Sequence, residues 1–289
     1  SLLWVLDKTT TAMGGRLLRK WIEQPLLDVG EINKRLNAVE ELKEKFMVRN
    51  EIMELLNKVY DMERLSAKLI VGNVNGRDLI SLKASIGQIP KIIEMVYGLK
   101  SEYCSEIFNA TDPLTDIYNT IDSAIAEEPP LTIKDGGVIK SGFSEQVDSY
   151  RNACIDGKQW VADLESRERE ATGIKNLKIK YNKVFGYHIE VTNSNLNQVP
   201  ERFVRKQTLT NCERYITEEL KNLEDTILGA EEKVIELEYE LFCRIREEIA
   251  SKVLRIQQTA VQMAVLDVLC SLSEVADREN YTKPVVSEG

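Results

Sequence analysis

The sequence predicts a mainly α-helical protein with a small antiparallel four-stranded β module inserted between two long helices. Three observations carry that expectation. Leu, Glu, Lys, Ile and Ala are abundant in the 289 residues and aromatic residues make up only 7%, a balance that favours helix over sheet. Two charged, proline-free stretches, Ser144 to about Ala171 and Thr217 onward, are long enough for extended helices. Between them the hydrophobic period changes from helical to two.

The elements follow in chain order. Thr9-Thr10-Thr11 precedes a helical run with Leu17, Leu18, Trp21 and Ile22 on one face, which Pro25 stops. Asp28 to Phe46 repeats the pattern with Ile32, Leu36, Val39 and Leu42. Asp61 begins another helix, and Asn73 to Gly76 is a turn. Arg77-Asp78-Leu79 then opens a helix running towards Pro90. Glu127-Glu128-Pro129-Pro130 is a break and Asp135-Gly136-Gly137 a turn. Trp4, Trp21 and Trp160 are expected in the core. The first long helix would be roughly 40 Å long at about 1.5 Å per residue. The second is N-capped by Thr217, with Glu218 and Glu219 in the turn where the helix dipole favours acids. Its apolar stripe is interrupted only by Gly229.

In the insert, Leu177, Ile179 and Tyr181 alternate with lysines and Asn182, and Tyr187, Ile189 and Val191 alternate with His188, Glu190 and Thr192. That is a half-buried hairpin turning near Lys183 to Gly186. Phe203 to Leu209 and Cys212 to Ile216 form a second hairpin turning at Thr210-Asn211. If the long helices lie side by side, the first and third strands run outward and the second and fourth return. Both tight turns then share the distal tip, and the loop near Pro200 faces the helices. His188 faces outward.

Several chemistries have no residues to support them. Cys104, Cys154, Cys212, Cys243 and Cys270 are far apart with no C-x-x-C pair, and His188 is the one histidine, so no metal site and no Cys/His or Ser/His catalytic pair is expected. No phosphate-cradling G-x-x-x-x-G-K-[ST] loop occurs; Gly157-Lys158 is followed by Gln159. Glu165, Glu168 and Glu170 read as a solvated helix face. No apolar run suggests a membrane span and no signal peptide opens the chain. The expectation is a non-enzymatic, cytoplasmic chain without catalytic residues.

Charge supplies the positive signal. The chain carries −9 overall, yet residues 174–217 hold five Lys and three Arg against three Glu, a local +5, leaving −14 on the other 245 residues. One basic module on an acidic body directs a polyanion to one place. Lys178, Lys180, Lys183, Arg202, Arg205, Lys206 and Arg214 are interleaved with Asn182, Thr208, Thr210 and Asn211. Cations neutralise phosphates, while amides and hydroxyls fix register without reading bases. The expected contact set is Asn182, Lys183, Arg205, Lys206, Thr210 and Asn211, with Lys180 and Arg214. The first turn and Lys206, Thr210 and Asn211 are expected to form one patch, with Arg205 and Arg214 adding long-range attraction or anchoring the sheet. The competing readings are edge-strand lysines that prevent aggregation, and a helical scaffold or partner-binding module with no direct DNA contact.

Leu6-Asp7-Lys8-Thr9 with Thr11-Ala12-Met13-Gly14, Arg16-Leu17-Leu18, Trp21 and Pro25-Leu26 resembles the start of the core domain of the MutS DNA mismatch-repair family. Asp61 with Glu63-Arg64-Leu65, and Arg77-Asp78-Leu79, continue the likeness. Its strongest part runs from Lys178-Ile179 and Tyr181-Asn182 through Phe185-Gly186-Tyr187, Ile189-Glu190-Val191, Arg205-Lys206-Gln207-Thr208-Leu209 and Glu213-Arg214-Tyr215 to Glu219-Leu220, and resembles the family's clamp. Tyr187-His188 departs from the two tyrosines common there. The resemblance implies a helical core over 1–143, a first lever helix over 144–172, a β clamp over 173–217, a returning lever and core helix over 218–280, and over 281–289 the start of a linker to an ATPase domain. It further implies double-stranded DNA contacted through its backbone, a homodimer partner and MutL in the full-length protein, and ATP with Mg bound only in that ATPase domain. A mismatch-reading domain with a Phe-x-Glu wedge is expected before Ser1, and the Walker-containing domain after Gly289.

Overall fold

Four of the first six helices begin on a side-chain oxygen that caps free backbone amides. Thr11 accepts from the Gly14 N–H, Asp28 from Glu31 and Asp61 from Arg64, and Asn75 and Asp78 form a reciprocal capping box. These capped starts belong to a computed structural model that describes residues 2–287. Its helices are α1 (Leu2–Leu6), α2 (Ala12–Glu23), α3 (Val29–Glu44), α4 (Phe46–Leu56), α5 (Met62–Val71), α6 (Gly76–Ile86), α7 (Ile89–Tyr97), α8 (Glu102–Ala110), α9 (Thr115–Ala124), α10 (Glu145–Thr172), α11 (Glu218–Ser251) and α12 (Val253–Arg278). The run expected from Asp28 to Phe46 ends at Glu44, and α4 starts after Lys45.

The chain divides into two units. Unit 1 comprises 1–133, 137–140 and 241–289; unit 2 comprises 134–136 and 141–240. In unit 1, α12 packs against α2, α3, α4, α5 and α8. By length and composition α12 qualifies as a membrane span, against the expectation that no such run exists, but 72% of its most apolar window is buried inside the protein. It is a core helix, with Ile256, Ala260, Met263, Leu266 and Leu269 fully covered.

Asp267, also on α12 and fully buried, accepts the N–H and hydroxyl of both Thr10 and Thr11 at 2.6–3.2 Å. A Cβ on Gly14 would lie 2.2 Å from its Oδ2, so the close approach requires glycine. Burial raises the Asp267 pKa against the four hydrogen bonds that lower it. Two tryptophans are not in the core as expected: Trp4 is 78% exposed and Trp160 is 50% exposed. Trp21 is partly buried, with the Arg35 guanidinium 3.5 Å above its ring.

In unit 2, α10 and the part of α11 up to Glu240 pack closely where Gly157 lets Ile227 approach; a Cβ there would sit 2.5 Å from Ile227 Cγ1. Thr217 caps α11 by accepting the Leu220 N–H, and Gly173 ends α10 at φ 73°. The insert between them is a four-stranded antiparallel sheet: β1 (Lys178–Asn182), β2 (Gly186–Thr192), β3 (Val204–Thr208) and β4 (Cys212–Ile216), in spatial order β1-β2-β4-β3. Ile189, Val191 and Tyr215 on one face pack with Val161 and Leu164 of α10 and Leu220 and Ile227 of α11. At about 1.5–3 kcal/mol per large apolar side chain, this second core holds the sheet against the helices.

Candidate nucleic-acid interface

The pairing register decides which basic residues meet. Asn182 pairs with Gly186 in β1–β2, whereas Thr192 pairs with Cys212 in β2–β4. The 183–185 turn therefore lies at one end of the sheet and the 209–211 turn at the other. This corrects the expectation that both turns share a distal tip. The cause is the path of β1, which turns back along α10. The Leu177 carbonyl accepts from Arg169 at 2.7 Å, and the Ile179 N–H donates to Glu165, one turn earlier in the helix, at 2.6 Å. The first and second strands thus run opposite to the directions expected, while the third and fourth run as expected.

Each end is built differently. At the first turn, Asn182 Oδ1 accepts the Val184 N–H at 2.8 Å, an Asx turn that occupies the amide. Lys183 is exposed. Glu224 of α11 accepts the Tyr187 N–H at 2.8 Å, and a Cβ on Gly186 would fall 2.2 Å from the same carboxylate, so glycine is needed there for space as well as for its φ of 72°. At the opposite end, Thr210 and Asn211 are exposed and their carbonyls accept from Asn193 at 2.9 and 3.2 Å. Asn176, Thr192 and Asn195 form a hydrogen-bonded corner beside them.

Across the face turned away from the helices runs a polar row. Lys180 bonds Glu190 at 2.7 Å, Arg214 Nε lies 3.7 Å from the same carboxylate, and Arg214 Nη1 donates to Gln207 at 3.0 Å. The Lys180 ammonium holds Glu190 below the usual carboxylate range. Arg205 reaches Glu213 at 3.5 Å. Glu213 in turn accepts from the Tyr215 hydroxyl at 2.5 Å, and burial pushes that phenol up to about 12. Arg202 pairs with the buried Glu168 of α10, which places the loop after Pro200 against that helix. Glu165 and Glu168, read from sequence as solvated, are therefore anchors of the module. Lys178, Lys183 and Lys206 have no ion pair among the described residues.

Of the eight expected contact residues, Asn182, Lys180, Arg205 and Arg214 are engaged within the module. Lys183 and Lys206 remain as cations, and Thr210 and Asn211 as exposed polar groups at the far end of the sheet. His188 faces away from the helices, as expected, yet neighbouring groups leave it only 3% exposed. Its Nδ1 lies 3.1 Å from the Gly186 carbonyl, and burial moves its pKa below the ordinary value. Sequence reasoning missed Glu224, Lys221 and Asn193; only the tertiary fold brings the two helix residues beside the sheet. No group of three or more His, Cys, Asp or Glu is placed to hold a metal among the described residues.

Comparison with known proteins shows what this arrangement is related to. Residues 1–273 match the family described as MutS domain III. The DNA mismatch repair protein MutS of Acetivibrio thermocellus is 58% identical over 288 residues, which is 100% of this chain and 33% of that protein. The protein of the same name from Ruminiclostridium cellulolyticum is 60% identical over 287 residues, 99% of this chain and 33% of its own length. That from Caldanaerobacter subterraneus is 55% identical over 286 residues, again 99% and 33%. The chain spans about a third of the length of these relatives. A match over nearly all of its residues, at more than half identity to proteins of one name, places it plainly: the chain belongs to the MutS domain III family of DNA mismatch repair proteins.

Proposed function

We propose that the four-stranded module contacts the sugar-phosphate backbone of duplex DNA without reading its sequence, and that α10 and α11 act as levers coupling this contact to the rest of a longer mismatch repair protein. The observation that carries the proposal is the basic module itself. It holds +5 in a chain of −9, and Lys183 and Lys206 stand exposed on it with no internal ion pair among the described residues. In a family whose relatives are named for DNA mismatch repair, phosphate is the ligand that such free ammonium groups fit. ATP hydrolysis with Mg, pairing with a second subunit and contact with MutL are assigned to other parts of the longer protein, and the setting to the bacterial cytoplasm.

Binding of a labelled duplex across a series of salt concentrations tests this reading. The logarithm of affinity falls linearly with the logarithm of salt, and Lys183→Ala with Lys206→Ala reduces the slope by about two units. Lys58→Ala with Lys91→Ala, exposed lysines of unit 1, leaves it unchanged. Equal losses from both pairs defeat the assignment.

A second reading, a helical scaffold that docks a protein partner and never touches DNA, has one observation in its favour. Lys180, Arg202, Arg205 and Arg214 are neutralised by Glu190, Glu168 and Glu213 within unit 2. That reading predicts no salt-dependent duplex binding at all.

A further inference from the structure

A cavity of about 270 Å³ lies between the sheet and the first turns of α11. The first turn closes it through Val184 and Phe185, and His188 forms part of its wall. Its cations come from three elements: Lys206 of β3, Arg214 of β4 and Lys221 of α11. Its carboxylates are Glu224 and Asp225 of α11. These charges are not equally available. Glu224 is held by the Tyr187 N–H, and Arg214 is shared between Gln207 and Glu190. Lys206 and Lys221 have no ion pair among the described residues. The site thus offers two uncommitted ammonium groups, with Asp225 as the one carboxylate left without a partner among the described residues, around a space large enough for a tetrahedral anion.

His188 gives the cavity its second property. A carbonyl oxygen only accepts, so the 3.1 Å contact with Gly186 fixes the hydrogen on Nδ1. Nε2 is buried without a hydrogen-bond partner, and in the neutral ring it carries a lone pair. Nε2 has no exposed surface, so an anion in the cavity acts on the ring through space, and a dianion there favours its charged form. The groups that face the ring on its own side are Lys180 and Glu190, which pair with each other, and Arg214, which disfavours the imidazolium. In the empty site burial first, and Arg214 in addition, disfavour the imidazolium.

We propose that this cavity is a phosphate-binding site held by Lys206 and Lys221, and that His188 takes up a proton as the anion enters. The proposal deepens the reading of the module as a phosphate-contacting surface and rests on it. The occupant is a phosphate group, supplied either by a DNA backbone or by a free phosphate ion or monoester. In either case, binding at this site tightens as the pH falls through the range in which the ring titrates.

The single histidine makes the test direct, because one imidazole Cε1–H resonance reports the whole titration. The full chain is titrated with acid in sodium chloride and again in sodium sulfate of matched ionic strength. Sulfate is chosen because its charge does not change over the range. The midpoint for His188 is expected to rise by about one pH unit in sulfate, equivalent to tenfold tighter anion binding to the protonated form. Lys206→Ala with Lys221→Ala, its fold checked by circular dichroism, abolishes that rise. Equal midpoints in the two salts overturn the proposal, as does a rise that survives the double substitution. If the double variant does not fold, the comparison of salts on the unaltered chain still decides.

Duplex DNA in place of sulfate identifies the source. A shift of the His188 resonance assigns the site to backbone phosphates. DNA that binds without moving the resonance, while sulfate moves it, assigns the site to a free phosphate group. DNA binding with no response to sulfate or DNA removes the cavity proposal and leaves the function intact. A sulfate response without any DNA binding does the reverse.

Discussion

Gly14 shows how a residue can be legible in sequence while its reason is not. Thr9-Thr10-Thr11 announces a helix start, and Thr11 does cap α2. The partner that fixes the turn, Asp267, is 256 residues away from Thr11. Gly14→Ala would drive a methyl group into that carboxylate at 2.2 Å, and we expect it to destabilise unit 1 by about 1–3 kcal/mol, as overpacking does. Urea unfolding followed by circular dichroism checks this; an unchanged midpoint would mean that Asp267 moves freely. The candidate site divides in the same way. Lysines and amides of the module can be counted from the sequence, but Lys180 and Arg214 are spent on Glu190 and Asn182 on its own turn. His188 lies on the outward face that strand alternation gives it, but alternation does not say whether neighbouring groups cover a side chain, and this one is 3% exposed.

Two glycines in the long helices separate packing from flexibility at the scale of elements. Gly157 faces Ile227 at a distance no Cβ tolerates, whereas a Cβ on Gly229 would meet nothing within 4 Å. Gly157→Ala should lower the melting temperature of unit 2. Gly229→Ala should raise stability by about 0.5–1 kcal/mol, because it removes backbone entropy without a clash. If both substitutions destabilise, α11 has a packing demand at Gly229 that the present geometry lacks. The sheet adds a pH dependence. The Tyr215 phenol is raised to about 12 from an ordinary value of 10.0, so the folded state holds its proton more tightly than the unfolded chain. The associated stability is complete below about pH 10 and is lost as the pH climbs towards 12. Tyr215→Phe should flatten that decline. Period and turn residues revealed both hairpins in the sequence. They could not reveal that β2 and β4 are the central pair, because strand order depends on contacts such as Glu165 with Ile179 and Glu224 with Tyr187. Those carboxylates look like any others on a helix surface.

At the scale of the whole molecule, net charge and local charge point in opposite directions, and the local one governs the proposed DNA contact once salt screens the rest. Phosphate contacts carry no base readout. Mispaired and fully paired duplexes of equal length should therefore compete equally for this chain, and a clear preference for the mispair would require base contacts outside the proposed mode. The opposed turns also set a measurable length. β2 has seven residues, so at about 3.3 Å per residue the 183–185 and 209–211 turns are separated by roughly 20 Å. That is about six base-pair steps of 3.4 Å along one strand. Groups so far apart lie beyond the roughly 7–10 Å within which substitutions couple. Lys183→Ala and Asn211→Ala should therefore reduce DNA affinity by factors that multiply in the double variant, the signature of a footprint with two independent ends rather than a single point of grip.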